Sequence, residues 1–181
     1  MQTFRDSATG KVWQFDDDVK ALAMNGIYAF TTAAGVKLTT PSTLQPYTAA
    51  APTAAQLLAQ AQATQSAALT AACGAAIVAG FQSSALGSAH TYPSQPNDQT
   101  NLIGAVTASQ SPGLPATWAC NFWCADSTGA WAFRSHTATQ IQQVLADAVV
   151  AREAFSAKLA GLVAQVNDAT TVAEVQAVAW S

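Results

Sequence analysis

The apolar positions of the stretch HTATQIQQVLADAVVAREAFSAKLAGLVAQVND fall at Ile141, Val144, Leu145, Ala148, Phe155, Leu159, Leu162, Val163 and Val166. Spacings of three and four put them on one stripe, which predicts an amphipathic helix over 138–167 with one buried face. Thr137 and Gln140 stand at capping-box spacing at its start, the hydroxyl taking an orphan N–H and the amide reaching back to the cap. At about 1.5 Å per residue the rod is roughly 40 Å long, a spine for the rest of the chain. A second long helix is predicted over 53–79, where Leu57, Leu58, Ala61, Leu69, Cys73 and Ile77 keep helical spacing. The two should pack antiparallel or nearly so, with hairpins at one end.

Shorter patterns fill the remainder. Phe4, then Val12, Trp13 and Phe15, read as two strands of a hairpin turning through 6–10. The triple Asp16, Asp17, Asp18 is read as the cap of a short helix over 19–24 rather than a calcium loop, since no alternating acidic loop follows. Residues 27–31 and 36–39 are expected to form a second hairpin through Gly35. The proline-rich run 41–52 is expected to be extended, so the chain divides into a β-rich unit over 1–45, a linker over 46–52 and a helical domain with hairpins over 53–181. In that domain, strands are predicted at 81–84 and 90–92, a helix at 97–108, and a third hairpin in which Trp118, Cys120, Phe122 and Cys124 alternate. A short last helix over 172–179 opens on a second capping box, Thr171 with Glu174. Trp180 is expected to anchor it, and to matter more to stability than any His or Cys. The fold class is α+β.

Composition narrows the function. Charged residues make up only 9 % of the 181 residues, against about a quarter in an average domain. The net charge is −3, so there is no basic footprint for nucleic acid. The most apolar run, 67–81, is shorter than the roughly twenty strongly apolar residues a spanning helix needs, and no membrane insertion is expected. No positively charged start followed by an apolar run opens the chain, so synthesis in a cytoplasm is expected, with the three cysteines reduced.

Candidate chemistry is sparse. Cys120 and Cys124 would share a strand face about 13 Å apart, too far to chelate one metal. His90 and His136 are the only histidines, and His136 is expected to bond locally beside the helix cap. Asp98 is read as a helix cap. No nucleophile elbow, phosphate loop or dinucleotide fingerprint occurs. The expectation is a non-enzymatic domain without cofactor or metal. Its residues of note are structural: Thr137, Gln140, Thr171, Glu174 and Trp180.

The run FQSSALGSAHTYPSQPNDQTNLIGAV, then STGAWAFRSHTATQIQQVLADAV, and the ending ATTVAEVQAVAW resemble a domain of unknown function common in phage and prophage tail modules, usually encoded near tail-fibre genes. The resemblance covers residues 52–181. The opening FRDSATGKVWQFDDDV is similar to small phage tail and tail-fibre-assembly proteins. The resemblance implies a tail-fibre accessory protein, an assembly chaperone or adaptor that binds a fibre or baseplate protein, present in the host bacterial cytoplasm during assembly. The alternative is a structural virion component of the tail fibre or baseplate. No catalytic residue is carried across. The uncharged Ala/Gln-rich helix 53–79 suits an interface, and a homo-oligomer is expected.

Overall fold

The computed structural model describes residues 1–181 and is α+β, with two compact units, Met1–Pro52 and Thr53–Ser181. No helix is long and apolar enough to cross a membrane.

The first unit is built of five short strands. β1 (Gln2–Asp6) pairs antiparallel with β2 (Val12–Phe15) on one side and β5 (Leu44–Pro46) on the other. β3 (Lys20–Met24) and β4 (Ile27–Thr31) form a separate hairpin. Phe4, Phe15, Val19, Phe30 and Leu44 make the core, with Phe15 stacked on Phe30 at 4.1 Å and Phe4 edge-on to Phe30 at 4.8 Å.

Three expectations are corrected in this unit. Residues 20–24 are strand, not helix, because Asn25 and Gly26 both take positive φ (51° and 79°). Such a two-residue loop matches strand twist and closes a hairpin. β4 therefore pairs with β3 as its full strand partner, and the expected turn back through Gly35 survives only as a short antiparallel contact: the bridge Thr31–Lys37, with the Thr32 N–H donating to the Val36 carbonyl at 2.9 Å and the Leu38 N–H to the Phe30 carbonyl at 2.8 Å. The proline-rich run is not all linker. Its Leu44 is fully buried, and the Tyr47 N–H donates to the Thr3 carbonyl at 2.9 Å. Pro46 ends this edge strand, where one missing N–H costs nothing in the ladder.

In the second unit, α1 (Ala54–Ala79) and α3 (Ala138–Asp168) are the two long helices. They run antiparallel: the Gln62 amide donates to the Val166 carbonyl at 3.2 Å, while the Cys73 thiol faces the Phe155 carbonyl at 3.7 Å. α4 (Val172–Ala177) closes over one end of the pair, where Leu69, Val166 and Val175 form a buried cluster. At the other end, α1 leads into a four-stranded antiparallel sheet, β6 (Phe81–Ser83), β7 (His90–Tyr92), β8 (Ala119–Ala125) and β9 (Trp131–Thr137), and β9 leads into α3. Gly80 joins α1 to β6 at φ +115°, and any Cβ there would come 2.5 Å from the Tyr92 carbonyl oxygen, so only glycine fits. α2 (Pro96–Ser109) packs Leu102 and Val106 against Phe81, Tyr92, Cys124, Ile141 and Val144. β7 meets β8 only at Thr91–Ala125. The rest of that β8 edge has no strand partner, and an open groove lies between it and α2.

Candidate functional site

Alternation along β8 and β9 sorts the side chains of this hairpin into two populations. Cys120, Phe122 and Cys124, with Ala132, Arg134 and His136, turn inward, while Asn121, Trp123, Trp131, Phe133 and Ser135 turn outward.

The inward face carries a polar cluster sealed from solvent. His136 is fully buried as the last inward position of β9; the local bond expected beside the helix cap is present, to the Arg134 carbonyl, and a second, long-range bond joins it. The Tyr92 hydroxyl lies 2.8 Å from His136 Nε2, and Nδ1 lies 2.8 Å from the Arg134 carbonyl. A carbonyl only accepts, which assigns the proton to Nδ1 and leaves Nε2 to accept from Tyr92. Burial pushes the imidazole pKa down and the Tyr92 hydroxyl up. Burial also pushes up the thiol of Cys124, which keeps it protonated. A neutral ring with both nitrogens engaged and a protonated thiol, both shut away from water, have no open path to a substrate. The cluster ties β7 to β9 within the sheet.

At the mouth of the hairpin, Asp126 binds its own turn. It accepts from the Thr128 hydroxyl at 2.6 Å and the Thr128 and Ala130 N–H groups at 2.9 and 3.1 Å, and Arg134 Nη2 donates to it at 2.8 Å. The hydroxyl bond is the largest of the effects holding its pKa at about 2. Asp6 plays the same part in the first hairpin. The Thr43 and Thr9 hydroxyls and the Ala8 N–H donate to it, and its pKa is also lowered to about 2. The similar stretches DSATG and DSTG are thus two copies of one turn device.

The five structural residues lie at the starts of α3 and α4 and, for Trp180, three residues beyond the end of α4, and do not converge. The Gln140 N–H meets the Thr137 hydroxyl at 3.3 Å, and the Gln140 side chain returns to the Thr137 N–H at 2.9 Å, at the start of α3. Thr171 and Glu174 repeat the device on α4 at 3.2 and 3.0 Å. Trp180 is half-buried, tilted against Phe155 at 6.4 Å, with the Lys158 ammonium 4.7 Å from its ring centre. Asp98 caps α2, accepting from the Gln95 N–H at 3.0 Å.

The outward face holds what the sequence reading passed over. Trp123, Trp131 and Phe133 touch one another, Trp131 stacked on Trp123 at 6.1 Å and Phe133 tilted against it at 4.9 Å. Yet they are 44, 39 and 69 % exposed for Trp131, Trp123 and Phe133. Beside them runs the groove of about 540 Å³, with Asp98 and Asn101 on the α2 wall and Asn121 on the β8 wall. The usable signal was WAF in β9, two aromatics at strand period facing a third across a hairpin. A separate apolar surface lies in the first unit, where Leu22, Met24 and Ile27 share the outer face of the β3–β4 hairpin and are 59, 71 and 50 % exposed.

Residues 60–179 match a family described as a domain of unknown function, DUF4376. The chain belongs to this family. No curated protein matches the chain, and no solved structure does. The DUF4376 region contains the groove, the aromatic ladder, the sealed His136 cluster and both capping boxes of α3 and α4. The Leu22–Met24–Ile27 face lies outside it.

Proposed function

We propose that this chain is a non-enzymatic accessory protein of a phage tail fibre, an adaptor or assembly chaperone that holds a fibre protein in the host cytoplasm during assembly. The resemblance of its sequence blocks to tail-module proteins supplies the context. The observation that carries the binding role is the outer face of the β3–β4 hairpin. Leu22, Met24 and Ile27 stand side by side in water there, with Lys20 the only charge on either strand. Apolar contiguity of this kind on so small a unit fits a partner surface. Co-expression with the fibre protein encoded beside it is expected to give a complex and more soluble fibre. Leu22→Ser with Met24→Ser is expected to abolish that complex without lowering the melting temperature. Failure of the wild-type chain to hold the fibre protein overturns the reading.

The division into two units favours a second reading, a structural component of the tail in which the first unit docks and the second remains exposed. Mass spectrometry of purified particles separates the two: a retained component is present at the stoichiometry of the fibre, a released chaperone is not.

A further inference from the structure

The groove between α2 and β8 has a chemistry of its own. Trp123 and Phe133 meet at 58° and line it, so two exposed aromatic rings form its corner. Asp98 and Asn101, one helical turn apart on α2, and Asn121 on β8 supply carboxylate and amide groups along both walls. No Lys or Arg lines it, and Asp98 is its single charged residue. Its volume of about 540 Å³ falls within the roughly 300–1,000 Å³ of small-ligand sites.

We infer that this groove is a binding site for a neutral saccharide, one or a few pyranose rings of an uncharged glycan. A pyranose presents C–H groups on its faces, which pack on electron-rich aromatic faces, and hydroxyls at its rim, each both donor and acceptor. Amides likewise donate and accept, and one Asp98 oxygen remains beyond the one that caps α2. A purely apolar surface laid in the same groove would strip water from these three polar side chains and leave them unpaired, which is costly. A phosphate, sulfate or sialic-acid ligand would meet Asp98 and no cation. The inference stands apart from fibre docking, which uses the other unit.

A glycan array bearing neutral hexose and N-acetylhexosamine oligomers beside sulfated and sialylated ones, probed with the full chain, tests it. A neutral glycan is expected to be retained, with affinity falling roughly tenfold in Trp123→Ala. A fall at least as large is expected in the double variant Asn101→Leu, Asn121→Leu, which keeps the apolar shape and removes the amides. All the side chains changed are exposed, so melting temperatures near wild type check the fold. Leu22→Ser is expected to leave glycan binding unchanged. Retention of no neutral glycan, or of charged glycans only, overturns the assignment. So does neutral binding undiminished in either groove variant, and tighter capture of apolar peptides by the double leucine variant without any glycan binding points to a peptide groove instead.

Discussion

The Tyr92 hydroxyl and His136 Nε2 are 2.8 Å apart with both residues entirely removed from solvent, and this bond ties β7 to β9 across the intervening β8. The two rings sit edge-on at 5.8 Å, and Phe122 packs edge-on against the imidazole at 6.4 Å. The bond therefore lies inside the core that also holds Ile141 and Val144 of α3.

His136→Ala removes a fully buried ring and orphans both the Tyr92 hydroxyl and the Arg134 carbonyl. Unsatisfied buried groups cost about 1–3 kcal/mol and a cavity adds to that, so a loss of about 3 kcal/mol is expected. In a unit of this size that lowers the melting temperature by roughly 10 °C. Tyr92→Phe, which keeps the ring and removes one partner, is expected to cost about a third as much. A thermal scan of the two variants checks the order.

The same histidine sets a pH dependence. Its folded pKa lies below the ordinary value because burial disfavours the charged ring. The unfolded state then binds a proton that the native state refuses, starting as pH falls below about 6.5. The stabilisation is complete above that pH and declines as pH falls toward the folded value, at no more than about 1.4 kcal/mol per pH unit. Urea unfolding between pH 7 and 5 is expected to show this decline, and His136→Gln to flatten it. Nitrogen shifts of His136 that report a protonated Nε2 at pH 7 would contradict the assignment.

A separate window belongs to the turn carboxylates. Asp6 and Asp126 are both lowered from 3.8 to about 2 by hydrogen bonds, led by a threonine hydroxyl in each case: that of Thr43, outside the turn, for Asp6 and that of Thr128, within the turn, for Asp126. A depressed folded pKa stabilises above the unfolded value, so this contribution is intact above pH 3.8 and disappears as pH falls from there toward 2. Carboxyl-carbon titration by NMR is expected to place both groups near 2. Thr128→Val is expected to raise Asp126 without moving Asp6.

The long elements were legible because many residues vote for each. Nine apolar positions at helical spacing, closed by Thr137 with Gln140, define α3 against any local exception. Short elements turned on single residues. Asn25-Gly26 is a stronger hairpin signal than Ala33-Ala34-Gly35, and it pairs β3 with β4. Leu44 sits among prolines and threonines, and nothing local says that β1 has a free edge waiting for it. His136 and the aromatic ladder share one cause. The alternation of Trp118, Cys120, Phe122 and Cys124 marks one phase only, whereas the other phase of β8 and its pairing with β9 decide what is sealed and what meets water.

Trp180 tests how much of the last helix rests on its final aromatic residue. α4 has six residues, far fewer than the dozen or so an isolated helix needs in water, so tertiary contacts hold it. Two of those contacts are deep: Val175 is fully buried on Leu69 and Val166, and the Gln65 amide donates to the Val178 carbonyl. Trp180 contributes the outer layer, one side against Phe155 and under the Lys158 ammonium, the other in water. Full truncation of a buried Trp costs about 3–5 kcal/mol, and half-burial scales that to about 2 kcal/mol. Trp180→Ala is therefore expected to lower the melting temperature by less than His136→Ala, reversing the order the sequence suggested. Val175→Asp, which places a charge among Leu69 and Val166 with no cation beside it, is expected to undock α4 altogether. Hydrogen exchange separates the two outcomes. The N–H groups of α4 stay protected in Trp180→Ala and exchange freely in Val175→Asp, and if Trp180→Ala alone frees them, the tryptophan rather than the valine holds the helix in place.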